Sequence, residues 1–269
     1  MSTATPPDEI QRLDDRAAAP RHFRYFDYVM AAFVTILLLS NLIGAAKQAT
    51  ITLPVIGPWT YGAGVLFFPV SYILGDVLTE VYGYAHARRC IWVGFFALLF
   101  MVLMSVVVVS ATPAEGWALA SNDYVVMGQH VKAPNQAAYE AVFGQTPRIV
   151  FASVVAFWAG EFVNSFVLAK MKVMTQGRML WTRTVGSTVF GQAVDSALFY
   201  PLAFAGAAGW TGVAVLKVSA TQWFLKVAWE VLLTPVTYAV VGFLKRREGV
   251  EVFDTATDFS PFARSRISD

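Results

Sequence analysis

From Phe26 onward the chain alternates between long apolar runs and short polar connections, and the runs exceed what the strands or core helices of a soluble domain need. Crossing a hydrocarbon core about 30 Å thick takes roughly 20 apolar helical residues. Six stretches reach that length, at about 27–46, 61–81, 90–111, 149–169, 184–207 and 218–244. The third, IWVGFFALLFMVLMSVVVVSA, contains no charge. The pattern predicts an all-α fold: a polytopic membrane bundle of six transmembrane helices over 26–245. A disordered tail (1–25), polar and without an apolar signal-type core, precedes it, and a second tail (246–269) follows.

Basic residues set the orientation, because loops rich in lysine and arginine stay on the cytoplasmic side. Arg12, Arg16, Arg21 and Arg24 precede the first span, and Arg88 and Arg89 follow the second. Lys170, Lys172, Arg178 and Arg183 separate the fourth from the fifth, and Lys245, Arg246 and Arg247 follow the sixth. An even number of spans with both termini cytoplasmic fits this count. The connection 112–147 then lies outside, and APNQAAYEAVFGQTPR within it reads as a short surface helix capped by Asn135 and ended by Gly144.

Composition agrees with a bilayer and narrows the chemistry. Of 269 residues 57% are hydrophobic and 14% charged, and a net charge of +2 offers no excess that would hold a nucleic acid. Cys90 is the single cysteine, and His22, His86 and His130 are scattered, so neither a metal centre nor another cofactor is expected. No serine or cysteine stands beside a histidine, and no glycine-rich phosphate loop occurs, which disfavours an enzyme.

Charges inside the spans need a reason, since each costs on the order of 2.5–3.5 kcal/mol in hydrocarbon. Asp76, Glu80, Glu161, Asp195 and Glu230 face a single lysine, Lys226. Residues three, four or seven apart share a helix face. On that spacing Tyr72, Asp76 and Glu80 form one stripe, Glu161, Asn164 and Ser165 a second, Thr188, Gln192, Asp195 and Phe199 a third, and Gln222, Lys226 and Glu230 a fourth, with Trp223 beside it. At about 1.5 Å per residue, Asp195 and Glu230 fall near the midplane and Glu80 near the cytoplasmic interface, where a pair with Arg88 or Arg89 is expected. Lys226 is expected to pair with Asp195, Glu161 or Glu230. Four helices presenting one polar stripe each predict a shared cavity for a small polar molecule. A guanine-like ring, with two adjacent donors for a carboxylate, a carbonyl for a donor and a face for an aromatic, is one solute of this kind. The residues alone do not choose it over other polar heterocycles.

The segments SNLIGAAK, FPVSYILGDVLTEVYGYAHARRCIWVGF, NQAAYEAVFGQTPRIVFASVVAFWAGEFVNSFVLAKMKVMTQGRMLWTRTVGSTVFGQAVDSALFY and FLKVAWEVLLTPVTY closely resemble the queuosine precursor transporter family, also known as the vitamin uptake transporter-like family. The resemblance covers nearly the whole span region. It implies a bacterial inner-membrane importer of 7-cyano-7-deazaguanine (preQ0), with the aminomethyl form preQ1 as a second candidate, both precursors of a modified tRNA nucleoside. It carries the family's polar positions onto Asn41, Asp76, Gln192, Asp195 and Lys226; Glu161 and Glu230 join them on their position alone. On this reading Asp195 or Asp76 accepts the ring N–H and amine, Asn41, Gln192 or Lys226 donates to the carbonyl, and Trp223 or Phe190 stacks. The expected partners are the deazapurine and the lipid bilayer; a homodimer is compatible with so small a bundle. The alternative is a substrate-binding membrane subunit that needs a separate ATPase module.

Overall fold

The computed structural model describes residues 23–44, 48–53, 57–66, 68–144, 147–206 and 210–263, with a few positions between 6 and 12. Most of the expected disordered tail over 1–25 falls outside them, and Asp8, Glu9, Ile10 and Arg12 within it are helical. Helices dominate: α1 (Phe26–Gly44), α2 (Phe68–Tyr82), α3 (Tyr84–Ser110), α4 (Asn135–Phe143), α5 (Pro147–Met174), α6 (Leu180–Phe204) and α7 (Gly212–Glu248). Among the described residues, four stretches suffice by length and apolar composition to cross a membrane: Phe26–Ile43, Tyr84–Ser110, Asn135–Met174 and Gly212–Glu248. The protein is therefore a multi-pass membrane protein built mainly of helices.

Two features correct the all-helical expectation. The stretch before α2 forms an antiparallel hairpin, β1 (Gln48–Leu53) with β2 (Gly57–Gly62), in which Ala49 faces Tyr61 and Leu53 faces Gly57. A second hairpin, β3 (Ser121–Val126) with β4 (Gln129–Pro134), lies in the long connection. The predicted second span over 61–81 thus begins only at Phe68. Gly57, Pro58 and Gly62 break helical continuity there, and the remaining 15 residues of α2 are about 22 Å long. Asn135 also departs from its predicted role. It is the first helical residue, not the cap, and its side-chain oxygen instead accepts from Asn122 Nδ2 at 2.9 Å. Gly144 does end α4.

α2 packs against α1, α3, α5 and α7, which makes it the centre of the bundle. Nearly every residue from Ser71 to Tyr82 is buried, polar ones included. Ile73, Val77, Leu78 and Val81 supply its apolar contacts, meeting a core that includes Phe33 and Leu37 of α1, Cys90 and Leu98 of α3, Phe157 of α5, and Val241 and Leu244 of α7. On the periphery, Val93, Phe96, Phe100, Leu103 and Val107 make an exposed apolar stripe along α3. That arrangement suits lipid, because a soluble helix would bury such a face.

α5 and α6 pack along most of their length, and glycines explain the close approach. A Cβ on Gly191 would stand 2.7 Å from the Asn164 Cβ and 3.0 Å from the Gly160 oxygen; one on Gly160 would stand 2.9 Å from the Asp195 Cβ. The two backbones meet where the polar stripes of both helices lie.

Both chain ends of the bundle share one face. The N–H groups of Arg24 and Tyr25 donate to the Glu248 carboxylate at 3.0 and 2.7 Å, joining the start of α1 to the end of α7. Beyond Gly249, whose φ of 64° ends α7, residues 250–263 fold back across that face. Asp254 accepts the Tyr84 N–H on both carboxyl oxygens, each at 3.1 Å, and so caps α3 from 170 residues away. Arg88 donates to the carbonyls of Asp258 and Ser260, and Trp92 Nε1 to that of Pro261.

Candidate functional site: a sealed polar band between four helices

Position within the bundle decides what each polar side chain can do. On α2, Asp76 is fully buried; its Oδ1 accepts from Asn164 Nδ2 on α5 at 2.6 Å, and its Oδ2 has no partner. One turn on, Thr79 Oγ1 donates to the Gly75 carbonyl at 3.0 Å and meets Ser165 Oγ at 3.1 Å. On α6, Asp195 forms an ion pair with Lys226 of α7, and the Lys226 ammonium reaches Tyr72 Oη on α2 at 3.4 Å. The same ammonium lies 5.6 Å from the Tyr72 ring centre and 5.7 Å from that of Phe68.

Glu161 of α5 joins these two groups. It acts electrostatically on Asp195, Lys226 and Asp76. A Cβ on Gly75 would come within 2.9 Å of its Oε2, so the carboxyl rests against the backbone of α2 beside Asp76. Glu230 of α7 in turn acts on Asp76. Asp76, Glu161, Asp195 and Lys226 therefore gather where α2, α5, α6 and α7 meet, with Glu230 of α7 on the Asp76 side.

Among the described residues, many atoms of this group lack a hydrogen-bond partner. Both carboxyl oxygens of Glu161 and of Glu230 are buried and unpartnered, as are Asp76 Oδ2, Gln192 Oε1, Asn164 Oδ1 and Thr188 Oγ1. A buried polar group without a partner costs about 1–3 kcal/mol, more when charged. A fold that needed these helices only for packing would use apolar residues here.

Other sequence-predicted positions lie elsewhere. Asn41 accepts from Ser153 Oγ at 2.9 Å and lines a mostly apolar groove with Leu98, Ser105, Val142, Phe143 and Val154, so no hydrogen bond ties it to the band. Trp223 is half-buried and spends its indole N–H on the Val189 carbonyl at 3.0 Å. Phe190 is 58% exposed on the outside of α6, because it falls about half a turn from Gln192; it does not line the band.

Glu80 corrects the expected pair with Arg88 or Arg89. Arg183 Nε and Nη2 hold its two oxygens at 2.8 Å each, and Lys245 and Lys172 approach Glu80 Oε1 at 2.6 and 3.3 Å. Arg88 is instead turned onto the carbonyls of the C-terminal segment. Glu251, from that segment, bridges Lys172 at 3.0 Å and Lys245 at 2.6 Å. In sequence Lys172, Arg183 and Lys245 read only as basic flanks of the spans, and Glu251 as part of a tail; the fold makes them the closing cluster at one end of the band. With the two parallel bonds from Arg183 to a fully buried carboxylate at its centre, this cluster ties α2, α5, α6, α7 and the returning segment together.

Buried hydrogen-bonding groups left unmatched among the described residues of a membrane bundle are what a carrier of small polar molecules needs. The chain belongs to a family of uptake transporters: the family model described as "Putative vitamin uptake transporter" matches residues 62–240, well over half of it. It is 29% identical over 186 residues to a "Probable queuosine precursor transporter" of Bacillus subtilis (strain 168), covering 69% of this chain and 73% of the relative. A protein of the same description from Haemophilus influenzae (strain ATCC 51907 / DSM 11121 / KW20 / Rd) is 24% identical over 142 residues, 52% of this chain and 51% of that protein. No solved structure matches the chain significantly.

Proposed function

We propose that the protein imports queuosine precursors, 7-cyano-7-deazaguanine first among them, across a bacterial inner membrane. In this reading six helices, α1, α2, α3, α5, α6 and α7, cross the bilayer and both termini lie in the cytoplasm. The observation that carries it is the set of buried, unpartnered acceptors on four helices, Asp76 Oδ2, Glu161, Gln192 Oε1 and Glu230. A deazaguanine ring offers what such a set lacks: a ring N–H and an exocyclic amine side by side, which one carboxylate can accept together.

Asp195 and Asp76 are the proposed acceptors for those donors, Lys226 and the Gln192 amide the donors to the ring carbonyl, and Trp223 the stacking face. The names of the two relatives support the same substrate class. The short α2 would reach its crossing length with the hairpin that precedes it, since irregular backbone is tolerated at depth only where protein or a wet cavity surrounds it.

Reconstitution tests the proposal. The purified chain, alone in liposomes, is expected to take up radiolabelled 7-cyano-7-deazaguanine and to be competed by the unlabelled compound. Binding without uptake, restored by a separate ATPase module, would support a substrate-capturing subunit instead.

A further inference from the structure

Glu161, like Glu230, is buried with neither carboxyl oxygen partnered among the described residues, but Glu161 is the one that lies beside the Asp195–Lys226 pair. It is 1% exposed, neither carboxyl oxygen has a donor, and it sits on α5 against the backbone of α2. The groups that face it are Tyr72 and Asp76 from α2, Asp195 from α6 and Lys226 from α7, with Glu230 one step further through Asp76. The Phe33 ring of α1 borders the same Gly75, and from α3 the Trp92 ring packs on α5 at Trp158 and Phe162. One lysine thus serves two carboxyl groups, and it is held by Asp195. An ionised carboxylate without donors is costly in such a place, and the neutral acid is the form that burial favours.

We propose that Glu161 is the proton-carrying group of the transporter, and that Lys226 exchanges between Asp195 and Glu161 as the proton leaves and returns. The proposal rests on the uptake function above and adds its energy source. With Glu161 neutral, Lys226 stays with Asp195, and the two present a donor and an acceptor to the substrate. When the band opens to the cytoplasm and water enters, the O–H bond of the Glu161 carboxyl breaks and its proton passes to that water. The new carboxylate draws Lys226 from Asp195, the donor and acceptor separate, and the substrate is released. The charge of the trio falls from zero to −1 as one proton leaves, so proton and substrate travel in the same direction. Gln192 Oε1 and Thr188 Oγ1, both buried and without a partner among the described residues, mark the same band as one built to take up a ligand.

The test uses the full chain in liposomes that enclose a pH-sensitive dye. Addition of 7-cyano-7-deazaguanine to wild-type vesicles is expected to acidify the lumen, and an acid exterior is expected to drive accumulation. Glu161→Gln is expected to lose both, and Glu161→Asp is expected to restore part of the acidification. Gradient-driven accumulation with acidification in Glu161→Gln, or transport by wild type without acidification, would overturn the proposal. Failure of wild type to bind or move the deazaguanine would instead overturn the substrate reading. Independently of any substrate, infrared spectra of the purified protein near neutral pH should show a carboxylic-acid C=O band that Glu161→Gln lacks; identical bands in both proteins would overturn the assignment of the proton to Glu161.

Discussion

Lys226 of α7 and Asp195 of α6 form an ion pair inside the bundle, each side chain 12% exposed, with the ammonium also set against the Tyr72 ring of α2. Removing one member leaves the other buried and uncompensated, at a cost of about 3–5 kcal/mol. Asp195→Asn and Lys226→Met should each lower thermal stability in detergent and abolish uptake. The double variant should recover much of the stability, since replacing a whole buried pair is often nearly neutral, yet remain without uptake. Thermal unfolding and uptake of all four proteins check this. Purely additive losses of stability would contradict the pairing.

Glu80 should matter for stability and not for substrate affinity. Its loss leaves Lys172, Arg183 and Lys245 with Glu251 as the remaining anion of that cluster. Glu80→Gln is expected to cost about 3–5 kcal/mol. Arg183→Lys should also weaken the fold, because an ammonium cannot reproduce the two-pronged contact. Unfolding transitions of the two variants, with substrate binding measured beside them, test the separation.

The close crossing of α5 and α6 predicts that Gly191→Ala is harmful although it is chemically slight. Its Cβ would press on Asn164, the residue that donates to Asp76. Overpacking of this kind costs about 1–3 kcal/mol. Loss of uptake greater than the loss of folded protein would show that the displaced Asn164 disturbs Asp76, whereas unchanged uptake would argue against a rigid crossing.

The helix faces that build the band are legible in the sequence. The spacing of Tyr72, Asp76 and Glu80, of Glu161 and Asn164, and of Gln192 and Asp195 puts them on shared faces, and the fold brings those faces together. The partners of Glu80 are not legible, because Arg183, Lys172 and Lys245 come from three other helices and only packing makes them neighbours. The first hairpin hides inside an apolar stretch, although Pro54, Gly57 and Pro58 between two β-prone runs are a usable turn signal. Phe190 does not line the band for a plainer reason: a step of two positions from Gln192 turns it to the far side of its helix.

The C-terminal segment should detach in acid. Burial works against the charge of Glu251, but the neighbouring Lys172 and Lys245 outweigh it and hold the carboxyl below its ordinary value. A carboxyl depressed in this way stabilises the docked segment above the unfolded value, about 4.3, and the contribution is lost as pH falls through the lower folded value. Hydrogen exchange of residues 250–263 should therefore accelerate below about pH 4, and Glu251→Gln should flatten the response. Gly83→Ala should free the same segment at any pH, since Gly83 has a φ of 83° and an added Cβ would lie 2.7 Å from Val252 Cγ1.

Calorimetric titration of 7-cyano-7-deazaguanine into the purified protein, wild type and Asp195→Asn side by side, addresses the polar band most directly. The account predicts saturable binding to wild type and none to the folded variant. Equal affinity in both would place the ligand outside the band and contradict the account.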